Sequence, residues 1–223
     1  MKEFQKEFGV KTKFLVKCGT FDENKIHQNV NQPIQVVYAG KLYCNRWKTL
    51  KMLAEAIGKV NNDYGKTMIQ LNIYTADDIT KKQDRVLNDG VHSIIHGCVP
   101  ATELPSIYEK SDIVLHVESF DKKNRLLTQD SFSTKVMDCL ASGCAVMALC
   151  WEGHAAYQYL KKMNAAITAS SNEEIYLKVR KLVQNPEIVC KYAKRAYECG
   201  KKNHQRRDIQ KMLRDDFTMV IEE

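Results

Sequence analysis

Residues 129–149 read QDSFSTKVMDCLASGCAVMAL. Val136, Met137, Leu140 and Ala141 recur at helical spacing, with Ser131 or Ser133 placed to cap the helix they define. The run AVMAL at 145–149 is short, apolar and unbroken, the pattern of a strand buried on both faces. Upstream, IVLHV at 113–117 is a second such run. Helices alternating with apolar strands predict a parallel sheet, because parallel neighbours need a crossover connection that covers the sheet's faces.

The same alternation extends in both directions. Strands are expected at IQVVYA (34–39), MIQLNIY (68–74) and HSIIH (92–96), with a short one at AAIT (165–168). Between them, 47–60 places Leu50, Leu53, Ala54, Ile57 and Val60 on one face, and 77–89 runs to a stop at Gly90. A helix over 102–111 has Thr102 as its expected cap and Pro105 in its first turn. Further helices are expected at 154–162, after two overlapping capping boxes (Ser170/Glu173 and Ser171/Glu174), from Pro186 to about Lys202, and over 206–221. Residues 13–17 (KFLVK) allow a strand, and the polar stretch after it reads as a linker ending at Pro33. The fold class is therefore α/β: a doubly wound, Rossmann-like domain with a parallel sheet of about six strands, plus C-terminal helices. Ligands of such sheets lie beyond the carboxyl ends of the strands, here Gly40, Thr75, Gly97, Glu118 and Leu149.

With 223 residues and 44% apolar content the chain can bury a core. It contains no run of about 18 apolar residues and no signal-peptide pattern, so a cytoplasmic location is expected. Eight cysteines form no C-x-x-C pair and sit in apolar company such as GCAVMALC, which reads as buried free thiols rather than disulfides or zinc ligands. His92 and His96 are four apart, but in a strand both would turn to one side with Ile94, an arrangement that does not suit zinc. The net charge of +7 gathers late, in KYAKRAYECGKKNHQRRDIQKMLRDD, where acids interrupt the bases. That stretch reads as a solvated helical face; contact with anionic lipid, peripheral at the inner face of a membrane, and contact with another domain stay open. No G-x-S-x-G, H-E-x-x-H, P-loop or G-x-G-x-x-G occurs, so the hydrolase, zincin, NTPase and dinucleotide readings lack their motifs.

Three places could carry chemistry. Gly40 ends the first strand, and Lys41 and Arg46 flank the loop after it, which suits either an anion or a plain turn with two exposed bases. After Glu118 about fourteen residues precede the next helix, where ordinary connections run to about six, so the segment is either functional or a surface insertion. In the opening stretch, the first-turn amides of Ser133, Thr134 and Lys135 could hold phosphate while Asp138, off the buried stripe, accepts hydrogen bonds from vicinal hydroxyls. An acid in an early helical turn is equally common for its interaction with the helix dipole alone.

Over residues of about 33–200 the chain resembles the C-terminal, donor-binding domain of retaining group-1 glycosyltransferases of the GT-B fold. Gly40-Lys41-Leu42 stands where the family has Gly-Arg-Leu, with Arg46 at its lysine position and Trp47 where glycine is usual. GCVPATELPSIYEKSD is similar to the family's G-x-V-x-x-x-x-L-x-x-x-Y-x-x-[AS]-D, with Val99 and Leu104 at the places that flank the nucleobase. SFSTKVMDCLASG is close to SFSTK-x-x-[DE]-x-L-A-x-G.

The resemblance implies transfer of a sugar from a nucleotide-diphosphate sugar to an acceptor hydroxyl with retention, in surface polysaccharide or glycan synthesis, with no cofactor and no metal required. It makes Lys41 and Arg46 contacts of the pyrophosphate, Ser133 and Thr134 phosphate contacts beside Lys135, and Asp138 the partner of the ribose hydroxyls. The family's two glutamates eight apart become Asp130 and Asp138, and Glu118 competes with Asp130 for the sugar. The resemblance divides the chain into an N-terminal-domain remnant with linker (1–32), a nucleotide-sugar domain (33–202) and a C-terminal helix (203–223). It also implies an acceptor domain in the same or another chain, without which this chain binds donor and turns over poorly. A non-catalytic nucleotide-sugar-binding module is the alternative. Nucleic-acid binding is disfavoured, since no basic stripe interleaved with aromatics marks the strand ends.

Overall fold

The computed structural model describes residues 6, 7, 9, 17–129 and 131–222. Among them, six parallel strands form one sheet in the order β3-β2-β1-β4-β5-β6: β1 (Ile34–Ala39), β2 (Ile69–Tyr74), β3 (Ser93–Gly97), β4 (Ile113–Val117), β5 (Ala145–Leu149) and β6 (Ile167–Ala169). Helices α1 (Arg46–Tyr64), α2 (Lys81–Leu87), α3 (Leu104–Glu109), α4 (Lys122–Thr128), α5 (Lys135–Leu140), α6 (Ala155–Lys162) and α7 (Asn172–Gln184) alternate with or follow the strands, and α8 (Glu187–His204) and α9 (Arg206–Glu222) close the chain.

Strand side chains alternate between two layers. Val36, Tyr38, Leu71, Ile73, Leu115 and Met147 pack with α1 and α7 through Leu53, Ile57, Ile175 and Val179. The opposite faces of the same strands, Val37, Val114, Val146 and Ala148, pack on Val136 and Leu140 of α5, Leu160 of α6 and Ala196 of α8. Every residue of β4 and β5 is buried, as a sheet covered on both sides requires. Each fully enclosed aliphatic side chain, such as Leu53 or Ile57, contributes roughly 1.5–3 kcal/mol relative to exposure.

The register places Val36 opposite Leu71 on one side and opposite Ile113 on the other. From β1 the chain winds outward through β2 to β3, then returns to β4 beside β1 and winds the other way. That reversal opens a crevice at the carboxyl ends of β1 and β4. At the opposite end of the sheet, buried Asp112 accepts the amides of Gln35 at 2.6 Å and Asn31 at 3.0 Å, anchoring the linker. The linker also returns to the C-terminal helices: Gly19 donates to the His204 carbonyl at 2.9 Å, and Arg206 donates to that of Gly19 at 2.8 Å.

Several local expectations are corrected. The segment after Glu118 contains α4, whose N-terminus is capped by Asp121 accepting the Asn124 amide. Its apolar residues Leu126 and Leu127 are 70% and 67% exposed, so no buried stripe advertises it. Thr102 does not cap α3; Glu103 holds that position without a side-chain cap bond. Of the two expected capping boxes, Ser171 caps α7 by accepting the Glu174 amide as expected, but the Glu174 carboxylate takes the amide and hydroxyl of Ser170 instead of the Ser171 amide. His92 meets Asn61 of α1 at 3.0 Å, whereas His96 stacks on Tyr74 and bonds Asn72 at 2.8 Å. His92 lies before β3 begins, and the two rings meet different partners and do not converge. Most of the expected strand at 13–17 lies outside the described residues.

Candidate functional site

The crevice is built first by the loop that leaves β1. Cys44 and Asn45 both adopt left-handed backbone, with φ of 54° and 59°, turning the chain so that α1 starts at Arg46. Such conformations cost energy in non-glycine residues and persist where surrounding bonds hold them. Here the Tyr38 hydroxyl donates to the Lys41 carbonyl at 2.6 Å, Leu42 donates its amide to Asp77 at 2.6 Å, and Asn45 Nδ2 donates to Asp121 at 3.1 Å. Burial holds the Tyr38 phenol well above its ordinary pKa, so it stays a donor.

Across the switch point, Arg46 forms a two-pronged pair with Glu118: Nε to Oε2 at 3.0 Å and Nη2 to Oε1 at 2.9 Å. The Glu118 side chain is 4% exposed and that of Arg46 16%. The Glu118 carboxylate, expected to compete with Asp130 for the sugar, is engaged by the guanidinium through both oxygens. Arg46 also lies 4.6 Å from the centre of the Tyr43 ring.

Lys135, at the start of α5, reaches back to the same place. Its amine donates to the Ala39 carbonyl and lies 4.6 Å over the Tyr38 ring. Burial pulls its pKa below the usual lysine value. A Cβ at Gly40 would meet this amine, so the glycine leaves room for the lysine tip at the end of β1. Among the described residues none accepts the amides of Ser133 or Thr134, while the amide of Lys135 donates to Ser133 Oγ at 3.3 Å. Two of the three expected first-turn donors thus have no acceptor among the described residues.

Gly40, Lys41, Tyr74, Val99 and Leu104 line one cavity of about 200 Å³ at the ends of β1, β2 and β3. Leu104 also lines an adjoining cavity of about 360 Å³, whose wall includes Tyr108, Asp138 and Lys25. Leu104 is common to both, and the fold thereby brings residues from distant segments into the lining of these two cavities. Asp138 sits there with both carboxylate oxygens bonded by Lys17 Nζ, at 2.7 and 2.8 Å. Asp130 lies outside the described residues. Tyr38, Asp77 and Lys17 are site residues that sequence reasoning missed. Asp77 and Lys17 act on partners 35 and 121 residues away, so local pattern carries no trace of the contacts.

A family profile described as "Glycosyl transferase-like" matches residues 28–214. The chain belongs to this glycosyltransferase family.

No curated protein sequence matches it. Solved structures show the likeness in fold. The pneumococcal O-GlcNAc transferase GtfA, solved with UDP and GlcNAc, has a TM-score of 0.66 at 14% identity, over 100% of this chain and 44% of that one. Sucrose-phosphate synthase from Thermosynechococcus elongatus has 0.68 at 12%, over 99% and 56%. WaaG, a glycosyltransferase involved in lipopolysaccharide biosynthesis, has 0.61 at 13%, over 95% and 58%. The glycosyltransferase domain described here thus has the Rossmann-like architecture of the GT-B enzymes and spans under two thirds of these relatives' lengths.

Proposed function

We propose that this domain holds a nucleotide-diphosphate sugar and serves as the donor half of a sugar transfer to an acceptor hydroxyl, with retention. The observation that supports it best is the pair of cavities at the strand ends that share Leu104, one lined by Val99, Gly40 and Lys41 and the other by Asp138. The nucleobase lies against Val99 and Leu104. The ribose hydroxyls donate to Asp138, and the diphosphate meets the α5 amides with Arg46, Lys41 and Lys135 on its other side.

As the bond from the sugar carbon to the diphosphate breaks, negative charge grows on the departing oxygens, and pre-placed cations and amides stabilise it without solvent reorganisation. As that bond breaks, the acceptor hydroxyl bonds to the same carbon on the same face and its proton passes to the departing diphosphate oxygen, which has gained the electron pair. Glu118 positions the Arg46 guanidinium. In this reading the diphosphate is neutralised by side chains, and no metal ion is required for transfer.

An acceptor domain, in the same or another chain, completes the cleft. Work in the cytoplasm on surface polysaccharide or glycan, with the basic face of α8 resting on anionic lipid at the inner face of the membrane, is consistent with the role stated for WaaG. The alternative reading is a nucleotide-sugar-binding module that does not catalyse.

Calorimetric titration with UDP, GDP and a short RNA tests the proposal. The expected result is diphosphate binding that Asp138→Ala weakens roughly tenfold or more, a loss of at least 1.4 kcal/mol. RNA binding with a steep salt dependence and no diphosphate affinity would overturn it. Sugar-nucleotide turnover after the acceptor half is supplied separates enzyme from binding module.

A further inference from the structure

His116, Cys150 and His154 come from three different places, the middle of β4, the residue after β5 and the cap of α6, yet all three are buried and their donor atoms lie within 4.8 Å of one another. His116 faces the α5 and α6 layer, is 1% exposed, and its Nε2 has no hydrogen-bond partner among the described residues. An unpartnered ring nitrogen in a dry interior forfeits its hydration, so a buried lone pair of this kind calls for a partner. Two imidazoles and a thiol are the borderline-soft donor set that favours Zn²⁺ and its neighbours over Mg²⁺ or Ca²⁺.

We infer that His116, Cys150 and His154, which line neither of the two cavities at the strand ends, form a buried binding site for a transition-metal ion of the Zn²⁺ class.

The protonation states set what binding must do. Burial, with the charges of His154, Lys135 and Arg46, lowers the His116 pKa to about 3, so its imidazole is neutral and its lone pair available at ordinary pH. Burial likewise keeps the Cys150 thiol protonated, and the ion must displace that proton to gain a thiolate. His154 Nδ1 accepts the Ala156 amide at 3.2 Å, which places its proton on Nε2. Coordination through Nδ1 would replace that bond, and coordination through Nε2 would move the proton to Nδ1 and release the amide. In either case metal binding uncaps α6. The charges nearest the site are the cations Arg46 and Lys135 and the carboxylate of Glu118. The thiolate supplies one negative charge to the ion, while the Glu118 carboxylate is already paired with Arg46.

Titration of the chelator-treated protein with Co²⁺ under reducing conditions, followed by absorbance, tests the site. One Co²⁺ per chain with a thiolate-to-cobalt charge-transfer band, displaced by Zn²⁺, is expected. Cys150→Ser should lose the band and weaken binding roughly tenfold or more. Should that variant not fold, His154→Gln, whose amide oxygen can still accept at the cap, is expected to weaken binding likewise while keeping the apo melting temperature. Absence of the band in the folded wild-type chain, or a band of unchanged affinity in the folded variants, overturns the inference. Because no nucleotide is present, the outcome does not depend on the donor proposal.

Discussion

Lys17 Nζ holds both carboxylate oxygens of Asp138, 121 residues away in sequence. The Lys17 carbonyl is in turn bonded to the buried ring of His204 at 3.1 Å, and that ring bonds the Tyr159 hydroxyl at 2.9 Å. The linker therefore delivers a cation to the acid proposed to bind ribose, and ribose hydroxyls must compete with it. With side chains 41% and 46% exposed, the pair is worth at most about 1 kcal/mol. Lys17→Ala is expected to tighten UDP binding by about fivefold or less, whereas Asp138→Asn weakens it. Weaker binding by the Lys17 variant in calorimetry would show that the lysine contacts ligand itself.

Arg46→Ala leaves the Glu118 carboxylate buried without a counter-charge, and removing one partner of a buried pair costs about 3–5 kcal/mol. Arg46→Ala with Glu118→Gln should recover most of that loss in urea melts. Diphosphate affinity should stay low in the double variant, because the guanidinium is gone. Recovery of both properties together would mean that Arg46 acts only through stability.

Asn61 tests the scaffold apart from the site. Its amide donates to the Ile69 carbonyl at 2.8 Å, and its oxygen accepts the amides of Met68 at 2.9 Å and Ile69 at 3.2 Å, at the start of β2. Asn61→Ala strands these buried groups and should destabilise the chain by about 1–3 kcal/mol. UDP affinity of the folded fraction should not change.

Acid should act on α4 through Asp121. The Ser119 hydroxyl foremost, against some burial, and then the Asn124 amides and the Asn45 amide hold its carboxyl well below the ordinary value. A depressed folded pKa contributes stability that is fully present above the unfolded value of about 3.9 and is lost as pH falls toward the folded one. Thermal melts between about pH 5 and pH 2 should therefore fall less steeply for Asp121→Asn than for the wild type. Parallel slopes would show that the cap carries no pH-dependent stability.

Strands β1, β4 and β5 and helices α1 and α8 were legible because burial writes itself into sequence as period and run: AVMAL has no polar position, and Leu50, Leu53, Ile57 and Val60 repeat at helical spacing. Helix α4 was not legible, because its Asp121 cap holds it while its leucines face solvent. Local hydrophobic pattern thus sufficed for a doubly wound parallel sheet and for the place where a ligand should lie. Which charges meet there was beyond its reach. The Arg46–Glu118 pair depends on two left-handed residues and on β1 lying beside β4, Lys17 reaches Asp138 only once the linker is fastened at His204, and His116 meets Cys150 and His154 only across three elements. Hydrogen bonds and ion pairs act over about 3 Å, so their partners are chosen by register and loop dihedrals, which spacing along the chain does not encode.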